Sequence, residues 1–194
     1  MKAKKAHTFT RAADDWYVEP ILATRKLAAV EGFNGPIHDP SCGGGHIPIA
    51  LTEMGYLATG SDLRQRVATG TPWFVGTSDF LDPAGVGLMG APNCVMNPPY
   101  FKSHGIEAFT RRAVVLAPGK VCVFVEARFL FGQDRARGFY ADLPPDRIWY
   151  VTPRPSCPPG EYLAAGKKAK NGSPDYVWLV WDEREGQARG GWLR

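Results

Sequence analysis

The sequence contains no long apolar run, few cysteines and no internal repeat, and each absence excludes a class of protein. No stretch of about 18 consecutive apolar residues occurs in the 194-residue chain, so we expect no transmembrane helix. The four cysteines are widely spaced and form no Cys-x-x-Cys pair, so we expect neither a disulfide framework nor a bound metal. No apolar stretch follows the basic residues at the start of the chain, so we expect no signal peptide and a cytoplasmic location.

The composition that remains is that of one folded domain with a modest basic charge. Hydrophobic residues make up 44% of the chain, which is too many for a disordered protein. The formal net charge of +4 permits a polyanionic partner without requiring one. We divide the chain into a flexible basic arm (1–13), a single domain (14–182) and a polar tail (183–194). Within the domain, a loop at 152–175 is rich in proline, glycine and lysine and is long enough to contact a substrate.

Short apolar runs alternate with segments of helical period along most of the chain. Seven runs predict strands, at residues 36–38, 56–60, 73–76, 93–96, 120–126, 147–151 and 176–181. Four segments predict helices, at residues 20–30, 46–54, 65–69 and 106–116. This alternation is typical of an α/β fold in which a mostly parallel sheet carries helices on both faces.

Polar side chains lie at the ends of four of these predicted strands. They are Asp39, Asp62, Asp79 and Asn97. In open parallel sheets, ligands bind beyond the carboxyl ends of the strands. We therefore expect these side chains to converge on one binding edge.

A glycine-rich turn follows the first predicted strand. Residues 39–46 read Asp-Pro-Ser-Cys-Gly-Gly-Gly-His, and the glycines would let the backbone turn sharply and approach a ligand closely. This stretch lacks the Gly-x-Gly-x-x-Gly pattern of dinucleotide-binding proteins, so taken alone it also fits a tight turn without a ligand. Asp62 follows Asp39 at roughly the 20-residue spacing where a carboxylate commonly binds ribose hydroxyls, although a helix N-cap is an alternative role.

The tetrapeptide Asn97-Pro98-Pro99-Tyr100 follows the fourth predicted strand. Its two prolines hold the backbone stiffly in an extended bend. The Asn97 side chain and the Pro98 carbonyl then offer two fixed acceptors, which suit an amino group that carries two hydrogens. The Tyr100 ring offers a flat face on which a base can stack. The alternative is a rigid loop that contains a buried tyrosine.

Taken in order, these motifs resemble those of amino methyltransferases that use S-adenosylmethionine. The Asn-Pro-Pro-Tyr form is typical of DNA adenine-N6 methyltransferases and is shared with some RNA adenine and protein glutamine methyltransferases. The resemblance covers residues 16–181, and residues 15–20 resemble a cofactor-binding segment that often reads aromatic-x-Thr-Pro, with Glu19 where threonine is usual. It implies a Rossmann-like class I methyltransferase fold with a seven-stranded, mostly parallel sheet. The small size and proline-rich loop resemble phage or prophage enzymes, which implies a bacterial or phage-encoded protein.

The resemblance implies S-adenosyl-L-methionine as the cofactor and a place for each part of it. Asp62 would accept hydrogen bonds from the ribose hydroxyls, and Asp79 from the adenine amino group. Asp39 would lie near the methionine amino group. The implied cofactor-binding residues are Tyr17, Pro20, Asp39, Pro40, Ser41, Gly43, Gly45, Asp62, Asp79, Phe80 and Asn97.

The same resemblance implies that Asn97, Pro98, Pro99 and Tyr100 carry the transfer. The Asn97 side chain and the Pro98 carbonyl would accept from the target amino group, and direct in-line transfer would need no metal. A target base in a duplex must first be flipped out. The residues expected to contact the nucleic acid are Tyr100, Lys102, Arg154, Lys167, Lys168 and Lys170.

Together these observations predict a DNA adenine-N6 methyltransferase that acts on duplex or single-stranded DNA. Three alternatives stay open: an RNA adenine-N6 methyltransferase, a protein glutamine-N5 methyltransferase, and a nucleic-acid-binding protein that keeps the fold without catalysis. Glutamine enzymes usually carry a helical domain ahead of the glycine turn, and only 38 residues precede Asp39 here. We expect no membrane partner, and the sequence leaves the target sequence and the oligomeric state open.

Overall fold

The computed structural model describes residues 14–101, 104–169, 172–182 and 189–193. Its strands are β1 (Ile37–Asp39), β2 (Ala58–Asp62), β3 (Phe74–Thr77), β4 (Asn93–Met96), β5 (Lys120–Glu126), β6 (Arg147–Val151), β7 (Tyr176–Asp182) and β8 (Arg189–Leu193). Its helices are α1 (Ile21–Val30), α2 (His46–Glu53), α3 (His104–Leu116), α4 (Gln133–Arg137), α5 (Phe139–Asp142) and α6 (Gly160–Ala164), with a 3-10 helix at Ala127–Phe131. Helices and strands alternate from α1 to β2 and again from β4 to β5, whereas β2, β3 and β4 follow one another without an intervening helix.

All eight strands form one sheet, in the order β3-β2-β1-β4-β5-β7-β6-β8. The first five strands pair in parallel, and β7 lies antiparallel between β5 and β6. The predicted seven-stranded, mostly parallel sheet is confirmed for β1–β7. β8 then pairs in parallel with β6, inside the stretch where the sequence pattern predicts a polar tail. An edge strand is held by backbone hydrogen bonds on one side, so it can form without an apolar sequence signal.

The sheet carries a hydrophobic core on each face, as predicted. Successive side chains of β5 alternate between the two cores: Phe124 lies in one cluster and Val123 in the other. α1 and α2 cover the first face, where Leu27 and Leu51 are buried. α3 covers the second face, where Ile106 is buried. Burial on both faces explains why β5 reads as a continuous apolar run.

Short helical segments are where the structure departs from the predicted elements. Residues 65–69 form bends and turns instead of a helix, and none of their side chains is buried. α4, α5 and α6 lie in segments where no helix is predicted. A helix of four or five residues makes too few turns to show an apolar period in the sequence.

Because the strands β1–β6 run in the same direction, their amino ends lie along one side of the sheet and their carboxyl ends along the other. We call these two sides the amino edge and the carboxyl edge. At the amino edge, where β5 and β6 begin, Arg147 donates to both Glu31 oxygens (2.6 and 2.9 Å) and to Asp182 (3.0 Å). Lys120 also donates to Glu31, at 2.7 Å. Burial alone would raise the pKa of Glu31, but the hydrogen bonds from Arg147 and Lys120 hold that pKa below its ordinary value. At the opposite, carboxyl edge, β1 ends at Asp39 and β2 at Asp62.

Candidate active site

A cavity of about 330 Å³ opens at the carboxyl edge of the sheet. Small-molecule sites commonly have volumes of about 300–1,000 Å³. Its walls come from the glycine turn after β1, the segments that follow β2 and β3, the loop after β4, and residues 14–19 ahead of α1. We call residues 14–19 the covering segment.

Most of the predicted cofactor residues line this cavity, and several do not. Those that line it are Tyr17, Pro40, Ser41, Gly43, Asp62, Asp79, Phe80 and Asn97, together with Pro99 of the predicted catalytic tetrapeptide. Those that lie outside its lining are Pro20, Asp39, Gly45, Pro98 and Tyr100. The convergence expected of the four strand-end side chains is therefore found for Asp62, Asp79 and Asn97.

Asp39 lies behind the cavity wall and binds Ser41 of the glycine turn. Its carboxylate is buried, and Oδ1 accepts from the Ser41 backbone N–H (3.0 Å) and the Ser41 hydroxyl (3.3 Å). Burial raises the pKa of Asp39 well above its usual value, and the nearby charges of Glu19 and Asp62 raise it further. Asp39 itself does not line the cavity, and its contact with a methionine amino group stays a prediction.

Asp62 and Asp79 are both oriented by backbone N–H groups. Asp62 Oδ2 accepts from Gly43 (2.9 Å), and its Oδ1 accepts from Arg64 (3.0 Å). Asp79 Oδ1 accepts from Leu81 at 2.9 Å. No helix begins after Asp62, so the alternative N-cap role does not apply. Each carboxylate oxygen has a second lone pair, so both side chains can accept from a ligand in the cavity.

Two glycines of the turn, Gly43 and Gly45, pack closely against different tryptophan rings. Gly43 and Gly45 have positive φ values of 51° and 88°, which favour glycine. A Cβ on Gly43 would lie 2.6 Å from the Trp16 ring nitrogen, whereas a Cβ on Gly45 would lie 2.0 Å from the Trp73 ring. Gly43 therefore belongs to the cavity wall, and Gly45 makes room for Trp73.

Trp16 is a lining residue that was not among the predicted site residues. Its ring packs against Gly43 of the cavity wall and also against Gly160, where an added Cβ would lie 2.0 Å from the ring. The guanidinium of Arg66 lies 4.3 Å from the Trp16 ring centroid and also pairs with Asp14 at 3.1 Å. Trp16 thus joins the covering segment to the glycine turn.

Backbone hydrogen bonds fix the covering segment to the loop after β6. Val18 N–H donates to the Pro158 carbonyl (3.0 Å), and Gly160 N–H donates to the Trp16 carbonyl (2.9 Å). Tyr17 and Pro159 also form an isolated antiparallel bridge. The proline-rich part of residues 152–175 therefore packs against the outer side of the site.

Asn97 is held by the covering segment through its side-chain amide. Its Nδ2 donates to the Tyr17 carbonyl (2.9 Å) and to Glu19 Oε2 (2.7 Å). Glu19 is only 6% exposed. Burial raises the pKa of Glu19, and the hydrogen bond from Asn97 opposes that rise. The sequence marks Glu19 only as a departure from a motif, which does not reveal that it contacts Asn97.

Tyr100 does not line the cavity, and the stacking role expected of it stays a prediction. Its hydroxyl accepts from the Glu126 backbone N–H at 2.8 Å, and its ring packs against the second core. This contact holds the tyrosine against β5. Phe101 lines the cavity in its place and is 46% exposed, and its N–H donates to Asp15 at 2.7 Å.

Four of the six residues predicted to contact nucleic acid lie in the described part of the chain, and this role stays a prediction for all six. Arg154 pairs with Asp175 at 2.6 Å. Lys167 lies 5.2 Å from the Tyr162 ring centroid, and Lys168 is exposed. Lys102 and Lys170, like the basic arm at residues 1–13, lie outside the described residues.

Acidic side chains outnumber basic ones around the cavity. The lining carboxylates are Asp14, Asp15, Glu19, Asp62 and Asp79. The basic side chains among the described lining residues are Arg66, which pairs with Asp14, and His46, whose Nδ1 donates to the Glu19 carbonyl at 2.7 Å. A cavity with this charge attracts cations and repels phosphate groups.

A glycine pattern, the absence of a metal cluster and the absence of a membrane span complete the description of the described residues. A Gly-x-Gly-x-x-Gly spacing does occur at residues 85–90, but it lies in the loop between β3 and β4 and opens no helix. Within the described ranges, no cluster of three or more His, Cys, Asp or Glu side chains could hold a metal ion. No helix in the described part of the chain has the length and apolarity needed to cross a membrane.

Comparison with known proteins identifies the fold. No protein-family model matches the sequence, and no curated protein matches it. A solved structure from Pyrococcus horikoshii, provisionally described as an RNA methyltransferase, superposes with a TM-score of 0.63 at 12% identity, covering 92% of this chain and 93% of that one. A TehB-like SAM-dependent methyltransferase from Corynebacterium glutamicum gives 0.51 at 15% identity, over 83% and 86% of the two chains.

A third similar structure has a description other than methyltransferase. It comes from Lactococcus lactis and is provisionally described as a hemolysin, with a TM-score of 0.57 at 8% identity over 87% of this chain and 89% of that one. The chain therefore has the Rossmann-like fold of class I methyltransferases, as its motifs imply. Because one fold can host several functions, the activity has to be argued from the site itself.

Proposed function

We propose that the chain transfers a methyl group from S-adenosylmethionine to the N6 amino group of adenine in a nucleic acid, with DNA as the leading substrate. The observation that carries this proposal is an acid-lined cavity that also includes Asn97 and Pro99 in its wall. When bound, S-adenosylmethionine would supply an activated methyl group on a positively charged sulfur. The chain's own residues would bind the cofactor, orient the target and limit access of water.

The charge of the cavity supports this choice of cofactor over a dinucleotide. A sulfonium and an ammonium group are cations, whereas a dinucleotide carries a pyrophosphate. Five carboxylates line the cavity, and Asp39 lies just behind them. Burial raises the pKa of both Glu19 and Asp39, so a nearby cation would stabilise their ionised forms. The electrostatics therefore favour a cationic ligand.

The lining residues also fit the uncharged parts of the cofactor. Asp62 and Asp79 are pre-oriented by backbone N–H groups and retain lone pairs for the ribose hydroxyls and the adenine amino group. Phe80 lines the cavity and packs on Phe109 with ring centroids 5.1 Å apart. It would bound the adenine with an apolar surface.

On the target side, Asn97 and Pro98 would hold the amino group. The Pro98 carbonyl is a backbone acceptor and would take the second hydrogen of that amino group. The Asn97 amide is fixed by two hydrogen bonds, which reduces the reorganisation needed when the target binds. We assign the stacking role to Phe101, because Tyr100 is held against β5.

RNA is the second candidate substrate. The Asn-Pro-Pro-Tyr resemblance favours DNA adenine, whereas the fold similarity to the Pyrococcus horikoshii protein described as an RNA methyltransferase favours RNA. Both substrates present the same adenine amino group. The difference between them lies in the sugar and the strand shape.

The test is methyl transfer from labelled S-adenosylmethionine to unmethylated duplex DNA, single-stranded DNA, RNA and bulk protein. Asn97→Ala should reduce transfer about 100-fold or more, because it removes an acceptor at the reacting group. Asn34→Ala is the matched control, since Asn34 is exposed and belongs to the loop before β1. Digestion and mass spectrometry should find N6-methyladenine in DNA.

The other outcomes separate the alternatives. Label in RNA alone would select the second candidate. Label in protein would overturn the nucleic-acid substrate while keeping the amino-group chemistry. Wild-type protein that binds S-adenosylmethionine but labels none of the four substrates would overturn the proposed activity.

A further inference from the structure

We propose that Glu19 is a positioning residue that fixes the Asn97 side-chain amide with its oxygen, not its nitrogen, free for the target. The inference rests on the proposed function, because it assigns a purpose to the orientation of Asn97. It also makes a claim about the chain alone that can be tested without any substrate. Glu19 is not among the residues that the motif resemblance implies.

Both hydrogens of the Asn97 amide nitrogen are engaged within the chain. A side-chain amide nitrogen carries two hydrogens. Asn97 Nδ2 donates to the Tyr17 carbonyl at 2.9 Å and to Glu19 Oε2 at 2.7 Å. The covering segment therefore uses both of them. The amide presents an acceptor alone to anything that approaches from the cavity.

The reversed orientation of the amide is unfavourable at this place. Rotating the amide by 180° would place Asn97 Oδ1 against the Tyr17 carbonyl oxygen and the Glu19 carboxylate. Three acceptors would then face one another without a hydrogen between them, while the amide hydrogens would face the cavity. The ionised carboxylate makes this arrangement strongly unfavourable, because it can only accept.

The carboxylate at position 19 selects the orientation more strongly than a neutral side chain would. A carbonyl such as that of Tyr17 gives one acceptor on its own. The Glu19 carboxylate adds a charge-assisted bond, which is stronger than a bond between neutral groups. A glutamine at this position could either accept or donate, so it would select the same orientation less strongly. A shorter side chain would remove the contact.

Glu19 is itself held in place by its neighbours. Its backbone carbonyl accepts from His46 Nδ1 at 2.7 Å, and the neighbouring Val18 N–H donates to the Pro158 carbonyl at 3.0 Å. The Glu19 side chain is buried. A buried acceptor on a pinned backbone can orient its partner because it has little freedom to move away.

The consequence for recognition is a filter on the chemistry of the target. An Asn97 that offers only an acceptor binds a group that donates, such as an aromatic amino group. It leaves a carbonyl oxygen at the same place without a donor. Glu19 would thus make the site selective for an amino-bearing base over one with a carbonyl in the same position.

The substrate-free test is hydrogen exchange of the Asn97 side-chain amide, followed by NMR in the full chain. The signals are assigned by their disappearance in Asn97→Ala. Exchange should be slow in the wild type and at least about tenfold faster in Glu19→Ala, with Glu19→Gln between the two. Glu53→Gln is the isosteric control, because Glu53 pairs with Arg25 on the exposed side of α2 and should not change the rate. Equal exchange rates in the wild type and Glu19→Ala would overturn the proposal.

The kinetic test asks whether the lost orientation affects catalysis. Loss of a hydrogen bond to a charged group should reduce kcat about 10–100-fold in Glu19→Ala, with partial rescue in Glu19→Gln. Because Glu19 also lines the cavity, binding is measured with S-adenosylhomocysteine, which lacks the sulfonium charge, and its Kd should change less than about threefold.

The outcomes of the two tests are distinguishable. A kcat that is unchanged in Glu19→Ala would overturn the proposal even if the exchange rate rose. A wild type that transfers no methyl group would overturn the proposed function, and the exchange experiment would then decide the Glu19 contact by itself.

Discussion

Buried carboxylates lie at both edges of the sheet, but their surroundings differ. At the amino edge, Glu31 is 2% exposed and binds both Arg147 and Lys120. At the carboxyl edge, Glu19 and Asp39 are 6% and 2% exposed, and no described Lys or Arg forms an ion pair with either. The pKa of Glu31 is accordingly lowered, while burial raises the pKa of both Glu19 and Asp39.

The different pairing of the buried carboxylates indicates a structural role for the amino edge and a binding role for the carboxyl edge. A buried acid with matched cations contributes to a defined native structure, and removing one partner leaves an unpaired charge. A buried acid without a cation opposes folding and persists where a ligand or a reaction needs it. The carboxylates of the amino edge are therefore paired within the chain itself, whereas those of the carboxyl edge suit the cationic ligand proposed above.

Arg147→Ala is the change that should break the amino edge, and it has the largest expected effect. It removes the guanidinium that bonds both Glu31 and Asp182 and leaves their buried charges less well compensated, so the free energy of unfolding should fall by about 3–5 kcal/mol. Urea denaturation followed by circular dichroism measures this loss. Arg111→Ala removes the exposed pair with Asp142 and should change stability by less than about 1 kcal/mol. Similar losses in the two variants would show that the buried network is not special.

Gly160→Ala tests whether the carboxyl edge is closed by packing instead of ion pairs. The added Cβ would lie 2.0 Å from the Trp16 ring, so the ring has to move. We expect a loss of about 1–3 kcal/mol in unfolding free energy and weaker binding of S-adenosylmethionine by calorimetry. Gly32→Ala is the control: nothing lies within 4 Å of its added Cβ, and it should be neutral or slightly stabilising. Unchanged binding in Gly160→Ala would separate Trp16 from the cofactor site.

Asp39→Asn should sharpen the comparison by stabilising the protein. Asparagine retains the acceptor for the Ser41 N–H and removes a charge that burial, Glu19 and Asp62 all disfavour. Above neutral pH the free energy of unfolding should rise by about 0.5–2 kcal/mol, while affinity for S-adenosylmethionine falls. Glu31→Gln at the amino edge should instead lower stability. A destabilised Asp39→Asn variant would mean that the charge of Asp39 is compensated after all.

The pH dependence of stability should have opposite signs at the two edges. We expect this to be the smallest effect, because each carboxyl group contributes only over the pH range between its pKa values in the native and unfolded states. The raised pKa values of Glu19 and Asp39 add stability in acid, and this contribution is lost as pH rises through them. The lowered pKa of Glu31 adds stability above its ordinary value of 4.5, and this is lost as pH falls.

These contributions are separated by comparing each variant with the wild type in denaturant melts across pH. The comparison has to be relative, because burial also lowers the pKa of His38 to about 4 and so reduces stability in acid. Asp39→Asn should lose less stability than the wild type as pH rises. Parallel curves for the two proteins would contradict the assignment.

The fold was predictable wherever the sequence carries a periodic or continuous apolar signal. The bounds of β4, β5 and β6 agree with the predicted ones, because in each strand the apolar run is bounded by polar residues. The helix predicted at 65–69 is absent because none of its side chains is buried in the core. β8 could not be predicted, since its polar, glycine-rich sequence carries no strand signal.

Site residues could be predicted only where a polar side chain lies at the end of a parallel strand. Asp62, Asp79 and Asn97 follow or end parallel strands, so topology alone brings them together. Trp16 and Glu19 depend on partners such as Gly160 and Asn97 that are distant in sequence, and no local pattern predicts such contacts. Tyr100 shows the reverse case, in which a motif residue is turned away by its bond to Glu126.

The packing of Trp16 on Gly160 has a consequence for the order in which the protein is made. Trp16 leaves the ribosome among the first residues of the domain, and Gly160 follows only after β1–β6 have been synthesised. Domains begin to fold from the amino-terminal side during synthesis. A nascent chain can therefore assemble the parallel half of its sheet before Trp16 gains its contact with Gly160. All residues that line the cavity, from Asp14 to Phe109, have been made by then, but the covering segment acquires its hydrogen bonds to residues 158–160 only later.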